Sequence, residues 1–384
     1  MGDYYDGTTL LSMKDLNGET PEIYICTTNR TGGKTTYFNR LMINKFLSKK
    51  IRKFGLIYRY RDELDCVAEM FFKDIKGLFF QEMDFEAEKR DNGHFQELFL
   101  DGIACGYALP LNCAEAIKKK SHFFSDIDIM LFDEFQSETN HYCADEVNKF
   151  QSVHTSIARG NGEQVRYVPV IMVGNPVTLL NPYYLKMGIA ERLTKSVKFL
   201  RGDGYVLEQG YNETAGLLQK TSGFNRAFSD SKYVDYGAEG VYLNDSVSFI
   251  EALNGKNRYI CTLRYMGKDY AIRQYLEEGL MYCDNHVDNS YPLRISVTTD
   301  DHQINYIMLK NNDFILSDFK FYFKNGCFRF KNLQCKEALI KAISYWYINH
   351  CVVILGIVGR QVGIYFHSAF RTCRCALLLQ WVLI

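Results

Sequence analysis

The sequence Thr28-Asn29-Arg30-Thr31-Gly32-Gly33-Lys34-Thr35 lies between an apolar run, Ile23 to Cys26, and a helix-like segment, Tyr37 to Ile43. A strand, a glycine-containing turn ending in Gly-Lys-Thr, and a helix form the arrangement in which proteins hold polyphosphate. Backbone N–H groups surround the phosphate oxygens, and the helix N-terminus adds the positive end of its dipole. The stretch therefore predicts a P-loop, although Thr28 stands where the usual pattern has a glycine.

Each residue of the predicted P-loop has an expected role. Lys34 is expected to reach the outer phosphates of ATP, and Thr35 is expected to offer its hydroxyl to Mg²⁺. The alternative is a Gly-Gly turn followed by an ordinary amphipathic helix. The other residues predicted to bind the nucleotide are Asn29, Arg30, Thr31, Gly32, Gly33 and Thr36.

A second apolar run carries two acidic residues at its end. Ile127 to Phe132 is typical of a buried strand in a parallel sheet, and Asp133 and Glu134 follow it directly. Open α/β sheets bind ligands at the carboxyl ends of their strands, so both acids are expected beside the phosphates. We expect Asp133 to hold Mg²⁺ through its water shell, and Glu134 to orient and deprotonate the attacking water. Without the upstream Gly-Lys-Thr, the same pair would indicate only a solvated strand end.

A third apolar run, Val168 to Val173, ends in Gly174-Asn175-Pro176. An amide at the tip of this strand can lie beside the γ-phosphate and sense its presence, so Asn175 is a candidate nucleotide-binding residue. A plain turn is the alternative, because Gly, Asn and Pro are common turn residues. The three motifs together predict a site that hydrolyses ATP.

Strands and helices alternate over residues 1–205. This alternation predicts a mostly parallel sheet with helices on both faces, and with the motifs it indicates an α/β P-loop NTPase fold of the ASCE or RecA-like type. Residues 206–237 are rich in Gly, Asn, Ser and charged side chains, and are predicted to be a linker. The predicted strands are Ile23 to Cys26, Phe54 to Tyr58, Gly77 to Gln81, Ile127 to Phe132 and Val168 to Val173.

Strand-rich alternation over residues 238–345 predicts a second, smaller α+β domain. Tyr259 to Tyr265 and Tyr270 to Ile272 are typical of a hairpin joined by a short turn. Phe314 to Phe323 is predicted to be a later strand, and a helix is expected from Lys336.

Composition limits the possible functions. The chain has 384 residues with 45 basic and 45 acidic side chains, so it has no overall positive field of the kind that indicates nucleic-acid binding. A local patch such as Lys118-Lys119-Lys120 remains compatible with a contact to phosphate groups. Twelve cysteines without regular spacing, beside an implied ATP site, favour reduced thiols and no metal centre of their own.

The tail, residues 346–384, differs from the rest of the chain. Ala342 to Gly359 carries no charge apart from His350, which brings it close to the length of a membrane span. Tyr347, Asn349 and His350 disfavour a spanning helix. A packed terminal segment, or a tail altered by a shifted reading frame, is the preferred interpretation.

The order of the motifs resembles a known family. An arginine-containing P-loop is followed by Cys105 to Leu111 with Lys120-Ser121, then by Ile129 to Phe135, and finally by Val173 to Pro176. In this order they are similar to the DNA-encapsidation ATPases of small short-tailed phages with protein-primed genomes, which are relatives of the terminase large subunit. The resemblance covers residues 20 to about 345 and is stronger in the first half.

The resemblance implies a motor that is driven by ATP with Mg²⁺ and pushes double-stranded DNA into a procapsid. It implies a ring of identical subunits, expected to be a pentamer, on the portal protein in the host cytoplasm, with no membrane partner. Whether a scaffold RNA takes part is left open. Such motors complete each site with an arginine from the neighbouring subunit. Arg159 is the candidate, Arg166 is the alternative, and either could instead be an ordinary surface arginine.

Terminases also carry a C-terminal domain similar to RNase H, in which several acids bind two metal ions and cut DNA. Here the strand Tyr259 to Tyr265, where the first of these acids belongs, contains none, and Asp269, Asp300 and Asp301 are the remaining candidates. We expect a degenerate RNase H-like domain that grips nucleic acid or the portal, with no nuclease activity. The alternatives are a complete terminase with an active nuclease, a P-loop phosphotransferase acting on a small molecule, and an AAA-type or helicase ATPase.

Overall fold

The computed structural model describes residues 4–344, apart from positions 160, 161, 163, 191, 194–196, 230, 240, 241, 244, 246, 247, 310 and 311. The chain divides into two compact units, Met1–Asp245 and Ser246–Ile384. The predicted tail, residues 346–384, lies outside the described residues. No helix in the described part of the chain is both long and apolar enough to cross a membrane.

Nine strands of the first unit form one sheet. They are β1 (Ile23–Thr27), β2 (Lys53–Tyr58), β3 (Phe85–Arg90), β4 (Phe95–Leu100), β5 (Ile103–Pro110), β6 (Ile127–Asp133), β7 (Val170–Gly174), β8 (Phe199–Gly202) and β9 (Tyr205–Gln209). Their order is β3-β4-β5-β2-β6-β7-β1-β9-β8. The six strands from β5 to β9 in this order run parallel, while β3, β4 and β8 are antiparallel to their neighbours.

Helices pack on both faces of this sheet. The α-helices are α1 (Thr8–Ser12), α2 (Lys34–Leu47), α3 (Val67–Phe79), α4 (Ala114–Lys119), α5 (Glu146–Ile157), α6 (Pro182–Lys186), α7 (Glu213–Thr221), α8 (Gly223–Arg226) and α9 (Lys232–Glu239). Short 3₁₀ turns occupy Arg61–Cys66, Asp91–Gly93, Leu111–Cys113 and Ser121–Phe124. Strands, helices and connectivity confirm the predicted α/β fold.

The two faces of the sheet carry separate apolar cores, and β1 shows why. Ile25 belongs to the core beneath α4 and α5, whereas Tyr24 and Cys26 belong to the core beneath α2 and α3. Successive side chains of a strand point to opposite faces, so a strand covered on both sides must be apolar throughout. This explains the uninterrupted apolar runs in the sequence.

The parallel strands β6, β7 and β1 are neighbours, and they end at the same edge of the sheet. In the pairing register, Asp133 lies opposite Val173, and Thr27 lies opposite Gly174. Three motifs that are far apart in the sequence therefore meet at one carboxyl edge, as predicted.

The predicted strand Gly77 to Gln81 is wrong, because most of this segment forms the last turn of α3. The buried side chains Phe71, Phe72 and Ile75 recur at helical spacing on one face, which favours a helix. Phe80 follows the helix and stacks on Phe72, with ring centres 6.0 Å apart. Its apolar character therefore reflects packing at the end of a helix.

The predicted linker, residues 206–237, is also wrong. It contains most of β9, which pairs in parallel with β1, and it continues through α7, α8 and most of α9. All of it belongs to the first compact unit, which extends to Asp245. Polar side chains are frequent there because Asn212 and Ser222 cap helices: their side chains accept hydrogen bonds from the N–H groups of Ala215 and Asn225.

In its described residues the second unit contains a six-stranded sheet and two α-helices. Its strands are β10 (Arg258–Tyr265), β11 (Lys268–Tyr275), β12 (Leu280–Asp284), β13 (Arg294–Ser296), β14 (Ile307–Met308) and β15 (Phe328–Phe330), in the order β14-β13-β10-β11-β12-β15. The helices are α10 (Asp313–Lys324) and α11 (333–344). The unit is a smaller α+β domain, as predicted.

Two predictions for this unit have different outcomes. The hairpin of β10 and β11 is confirmed, and its turn has positive φ angles at Met266 and Gly267, as tight hairpin turns require. The predicted strand Phe314 to Phe323 is wrong, because this segment is α10. Leu316 and Phe319 are buried one helical turn apart, while Phe314 and Phe321 are exposed.

Candidate nucleotide-binding and catalytic site

The P-loop follows β1 and leads directly into α2. Gly33 precedes the helix with φ of 87°, a left-handed conformation that favours glycine. Lys34 and Thr35 then form the first turn of α2, where the N–H groups have no partner within the helix. Free N–H groups at a helix N-terminus are what an anionic phosphate requires.

Lys34 is buried at the centre of the site, with 7% of its surface exposed. Its Nζ donates a hydrogen bond to Oδ1 of Asn175, 2.5 Å away. Burial lowers the pKa of Lys34, and the neighbouring carboxylate of Asp133 opposes this effect. The lysine of the P-loop and the amide after β7 are therefore in direct contact.

Asp133 lies beside Lys34 at the end of β6. Burial raises the pKa of its carboxyl to about 6, although Lys34 and a hydrogen bond from the Thr35 hydroxyl oppose the rise. Asp133 Oδ1 also accepts a hydrogen bond from the backbone N–H of Glu134 at 2.9 Å. A carboxylate and a hydroxyl thus stand together where a magnesium ion would need oxygen ligands.

Glu134 turns sharply away from the strand. Its φ is 55°, which is unusual for a residue other than glycine, and its side chain is exposed. This turn directs Glu134 towards the pocket, whereas the preceding Phe132 and the following Phe135 are buried. Such local strain persists where the surrounding structure fixes it.

Arg59, which follows β2, supports this turn from behind. Its Nη2 donates to the carbonyl oxygen of Phe135 at 2.8 Å and approaches that of Glu134 at 3.5 Å. Its Nε donates to Oε2 of Glu146 at 2.8 Å, and both side chains of this ion pair are almost fully buried. Glu146 also accepts hydrogen bonds from Tyr183 and from the N–H of Cys143. The turn is therefore held by a buried, fully hydrogen-bonded network.

A pocket of about 340 Å³ opens beside these groups. Six of the predicted site residues line it, together with residues of α7, α8 and α9. We call residues 210–239, which contain these three helices, the cover segment. The predicted residues that line the pocket are Arg30, Thr31, Lys34, Thr35, Glu134 and Asn175, and those of the cover segment are Gln219, Asn225, Tyr233, Val234 and Gly237.

Asn29 fastens the cover segment to the P-loop. Its Nδ2 donates to the carbonyl oxygens of Asn212 and Ala238, at 3.0 and 3.4 Å, and its Oδ1 accepts from the N–H of Asn212 at 2.9 Å. The side chain of Asn29 is fully buried and engaged in these contacts, and the predicted contact of this residue with the nucleotide stays a prediction. Gly32, Gly33 and Thr36 are not among the residues that line the pocket.

Arg30 also joins the P-loop to the cover segment. Its guanidinium pairs with Glu138 and lies over the rings of Tyr233 and Tyr236, 5.3 and 5.6 Å from their centres. The hydroxyl of Tyr236 donates to the same carboxylate at 2.7 Å. Arg30 lines the pocket and is simultaneously held by an acid and two aromatic rings.

The two candidate arginines for a neighbouring subunit differ in exposure. Arg166 is 8% exposed, and its guanidinium donates to the carbonyl oxygens of Ile127 and Ile157 within the same chain. These contacts within its own core disfavour Arg166, although among the described residues its Nε is buried without a hydrogen-bond partner. Arg159 is exposed, and its guanidinium reaches Ser156 at 3.5 Å.

Arg159 lies far from its own pocket. Helix α5 begins at Glu146, next to Arg59, and its 12 residues span about 18 Å. Arg159 follows the far end of this helix, where Arg166 connects Ile157 to Ile127 at the start of β6. The guanidinium of Arg159 thus stands at the edge of the sheet opposite to Asp133.

Reasoning from the sequence missed the cover segment, Glu138 and the function of Arg59. The capping residues Asn212 and Ser222, each followed by a helix, were the signals that could have revealed the cover segment. No local pattern indicates that Glu138 pairs with Arg30, since 108 residues separate them. Contacts of this kind depend on the sheet order.

Comparison with known proteins assigns the chain to a family. The family described as podovirus DNA encapsidation protein (Gp16) matches residues 3–345, which is most of the chain. The chain belongs to this family. It is therefore a viral DNA encapsidation protein.

Relatives agree with this membership, and solved structures share the fold. The DNA packaging protein of Bacillus phage phi29 is 26% identical over 317 residues, which cover 82% of this chain and 89% of the relative. That of Bacillus phage B103 is 23% identical over 319 residues, covering 82% and 92%. The bacteriophage phi29 viral genome packaging motor assembly has a similar fold, with a TM-score of 0.62 at 23% identity, covering 91% of this chain and 99% of that one. The phi28 gp11 DNA packaging motor gives a TM-score of 0.56 at 15% identity, covering 91% and 98%.

Acidic residues of the encapsidation protein's second unit are engaged in structural contacts. Asp269 accepts hydrogen bonds from Arg264 and from the hydroxyl of Tyr306, both at 2.8 Å. Asp301 is buried and accepts from the N–H of Gly267 and the hydroxyl of Thr298. Within the described residues, no three His, Cys, Asp or Glu side chains form a group that could hold a metal ion.

Proposed function

We propose that this chain is the ATP-hydrolysing subunit of a ring that drives double-stranded viral DNA into a procapsid through the portal. The observation that carries the proposal is the convergence of Lys34, Thr35, Glu134 and Asn175 on one pocket at the carboxyl edge of the sheet. These side chains come from three separate strand ends, and together they supply a cation, a hydroxyl, a carboxylate and an amide. That set matches what phosphoryl transfer from ATP to water requires.

The proposed roles follow from position and chemistry. Lys34 neutralises charge on the outer phosphates of ATP, and the N-terminus of α2 binds them through its N–H groups. Glu134 projects into the pocket, where its carboxylate would orient a water molecule and accept its proton. Asn175, which contacts Lys34, is placed to sense the γ-phosphate.

The residues present fit a magnesium ion. Thr35 and Asp133 offer hard oxygen ligands, and they are already connected by a hydrogen bond. Mg²⁺ bound there would supply positive charge against the β- and γ-phosphates. The raised pKa of Asp133 implies that its carboxylate is fully available only above pH 6 or so.

The ring completes the proposed site. Arg159 is exposed and lies beyond the end of α5 that is remote from its own pocket, which supports the proposal that it serves a neighbouring subunit. An arginine supplied in this way stabilises the transition-state charge and is worth about 10³- to 10⁵-fold in turnover. We propose a homopentamer that assembles on the portal in the host cytoplasm. A scaffold RNA is an additional candidate component.

The second unit is proposed to be a degenerate RNase H-like domain that grips DNA or the portal. Its strand β10 contains no acid, and Asp269 and Asp301 are occupied in hydrogen bonds within the unit. Two-metal cleavage needs several carboxylates converging on ions about 4 Å apart. Incubation with supercoiled plasmid and Mn²⁺ would test this, because nicking that resists Lys34→Ala would contradict it.

The main experiment measures ATP hydrolysis with Mg²⁺, with and without double-stranded DNA, for the wild type and Lys34→Ala. We expect turnover that increases with DNA and falls by at least about 10²-fold in the variant, because Lys34 contacts charge that develops in the transition state. Lys50→Ala is the matched control, since Lys50 is an exposed lysine just beyond α2. Turnover that survives Lys34→Ala would refute the site, and turnover indifferent to both DNA and the portal would refute the motor.

A further inference from the structure

The side chain of Gln136 connects two loops of the site. Gln136 lies two residues after Glu134 and is 3% exposed. Its Oε1 accepts hydrogen bonds from the backbone N–H groups of Val177 and Thr178, both at 3.1 Å. Val177 and Thr178 follow Asn175 by two and three residues. One side-chain oxygen therefore joins the segment after β6 to the loop after β7.

Few other hydrogen bonds hold the loop after β7 between Asn175 and Thr178. The N–H of Val177 is shared, because it also donates to the carbonyl oxygen of Asn175 at 2.9 Å. Pro176 has no N–H to donate. Beyond this stretch, Asp245 accepts from the hydroxyl of Thr178 at 2.6 Å and from the N–H of Leu179 at 3.0 Å. The carbonyl oxygen of Pro176 also accepts a hydrogen bond from the N–H of Leu243, at 3.4 Å. The path of the loop next to Asn175 thus depends mainly on the oxygen of Gln136.

Close packing beneath Gln136 makes the connection stiff. The N–H of Phe135 donates to the carbonyl oxygen of Val173 at 3.2 Å. A Cβ atom on Gly174 would stand only 3.1 Å from the Phe135 ring, so the two segments are in tight contact there. Motion of the Glu134 turn would therefore be transmitted to the Asn175 loop through the next two residues of the chain, Phe135 and Gln136.

The nitrogen of the Gln136 amide, Nε2, does not connect the two loops. Its Nε2 is buried and makes no hydrogen bond of normal geometry among the described residues, although it lies near the hydroxyl of Tyr184. An unpaired buried donor costs free energy, so what Gln136 contributes to the site comes through its oxygen. A methionine of similar shape would remove the acceptor, and it would also remove the unpaired donor.

We propose that Gln136 is a positioning residue for ATP hydrolysis, which holds the Asn175 loop at a fixed separation from Glu134. This inference rests on the function proposed above for Glu134 and Asn175. The water-activating carboxylate and the γ-phosphate-sensing amide must both lie within reach of the same reacting group. A displacement of about 1 Å between such groups can reduce turnover by about 10²-fold without preventing binding.

The test compares kcat and KM for ATP in Gln136→Met with those of the wild type and a matched control. Gln96→Met is that control: Gln96 is also 3% exposed, its Nε2 donates to the carbonyl oxygen of Leu64, and its Oε1 is unpaired. It lies in β4, away from the pocket. We expect Gln136→Met to lower kcat by at least about 10-fold with KM changed by less than about 3-fold, and Gln96→Met to leave both unchanged. Equal effects of the two substitutions would overturn the inference.

A double variant tests whether Gln136 acts through Asn175. If it does, adding Gln136→Met to Asn175→Ala should lower kcat no further, because the positioned group is already absent. Effects that multiply would overturn the inference. Gln136→Glu, which keeps an acceptor oxygen at the same position, is expected to retain more activity than Gln136→Met, and the reverse order would also contradict it.

Two further measurements separate the possible failures. Lys34→Ala in the same assay tests the site itself, and the proposed function fails if this variant still hydrolyses ATP. If Lys34→Ala is inactive while Gln136→Met has the kcat of the wild type, only the positioning role of Gln136 is refuted. Thermal unfolding of every variant checks its fold. Should Gln136→Met not fold, Gln136→Ser removes the acceptor while admitting water, and the same kcat criterion applies to it.

Discussion

Lys34 and Asn175 are 141 residues apart in the sequence, yet the ammonium of the first donates to the amide oxygen of the second over 2.5 Å. The contact spans β1 and β7, which are neighbours in the sheet. Asn175 thus occupies a donor of Lys34 that the phosphates of ATP would use. Phosphates that approach Lys34 would compete with this amide oxygen for the ammonium, which has two further N–H groups to offer.

This contact predicts the effect of a charge at position 175. Asn175→Asp should raise KM for ATP by at least about 10-fold, since a carboxylate next to the buried ammonium forms a stronger, charge-assisted bond that competes with the phosphates. Titration with a fluorescent ATP analogue would measure the affinity. Asn225→Asp places the same charge elsewhere in the pocket and should have a smaller effect. Equal weakening by both would show that general repulsion of ATP, and not the contact with Lys34, is responsible.

Glu134→Gln should separate ATP binding from hydrolysis. The amide keeps the shape of the side chain but cannot accept a proton, so we expect turnover to fall by about 10²- to 10⁴-fold while ATP affinity is retained. Single-turnover hydrolysis and analogue binding on the same preparation would measure the two. Glu115→Gln, at an exposed position in the first turn of α4, serves as the control. Loss of binding together with turnover would contradict the assigned role.

The raised pKa of Asp133 predicts a pH dependence. Burial raises the pKa of Asp133 from 3.8 to about 6. Protonation of Asp133 therefore adds to the free energy of unfolding of the nucleotide-free protein, and this addition is complete below about pH 4. It is lost as the pH rises through about 6. Mg²⁺ requires the carboxylate and competes with the proton. The stabilisation by Mg²⁺ with a non-hydrolysable ATP analogue should therefore weaken as the pH falls through about 6.

Thermal unfolding between pH 5 and 8, with and without Mg²⁺ and the analogue, would measure this. Asp133→Asn is the control. The phosphates of the analogue also titrate in this range, and their titration affects the wild type and the variant alike. A difference between the two pH profiles therefore reports on Asp133. A wild type and an Asp133→Asn variant with the same pH profile would contradict the prediction.

The ion pair of Arg59 and Glu146 predicts a large loss of stability when one partner is removed. Arg59→Ala leaves the carboxylate of Glu146 buried without its cation, and such losses cost about 3–5 kcal/mol in the free energy of unfolding. Urea unfolding would measure it. Arg52→Ala breaks the more exposed pair with Asp128 and should cost about 1 kcal/mol or less. Similar costs for both substitutions would mean that the buried network contributes little.

Arg159 can be tested by mixing subunits. Arg159→Ala should bind ATP normally but turn over at least about 10³-fold more slowly. If the arginine serves a neighbour, mixing Arg159→Ala with Lys34→Ala should restore part of the activity, because an intact pocket then meets an intact arginine. Mixtures that remain as inactive as their components would exclude a function in a neighbouring subunit.

The sequence allowed the strands beneath the site to be predicted because their signal is local. Ile129 to Phe132 is an unbroken apolar run, and such runs belong to strands covered on both faces. Gly77 to Gln81 has a similar composition, yet it lies in a helix and its continuation, because burial of Phe71 and Ile75 sets a helical period for the whole segment. Short apolar runs do not distinguish these cases.

The parts of the site that escaped prediction are contacts between distant segments. The sequence offers Arg166 as an alternative to Arg159, and it does not reveal that the guanidinium of Arg166 joins Ile127 to Ile157 in the core. Asn29 was placed with the nucleotide, yet its amide binds the backbone at Asn212 and Ala238. No local pattern encodes such pairings, because each depends on which strands become neighbours.

The two attachments of the cover segment to Asn29 have a mechanical consequence. Asn212 stands near the start of this segment and Ala238 near its end, and one side chain holds both. A segment anchored at both ends cannot rotate outward as a rigid body about either of them. Exchange of the nucleotide should therefore proceed by outward bending of the middle, around Asn225, while the two ends stay attached to the loop that grips the phosphates.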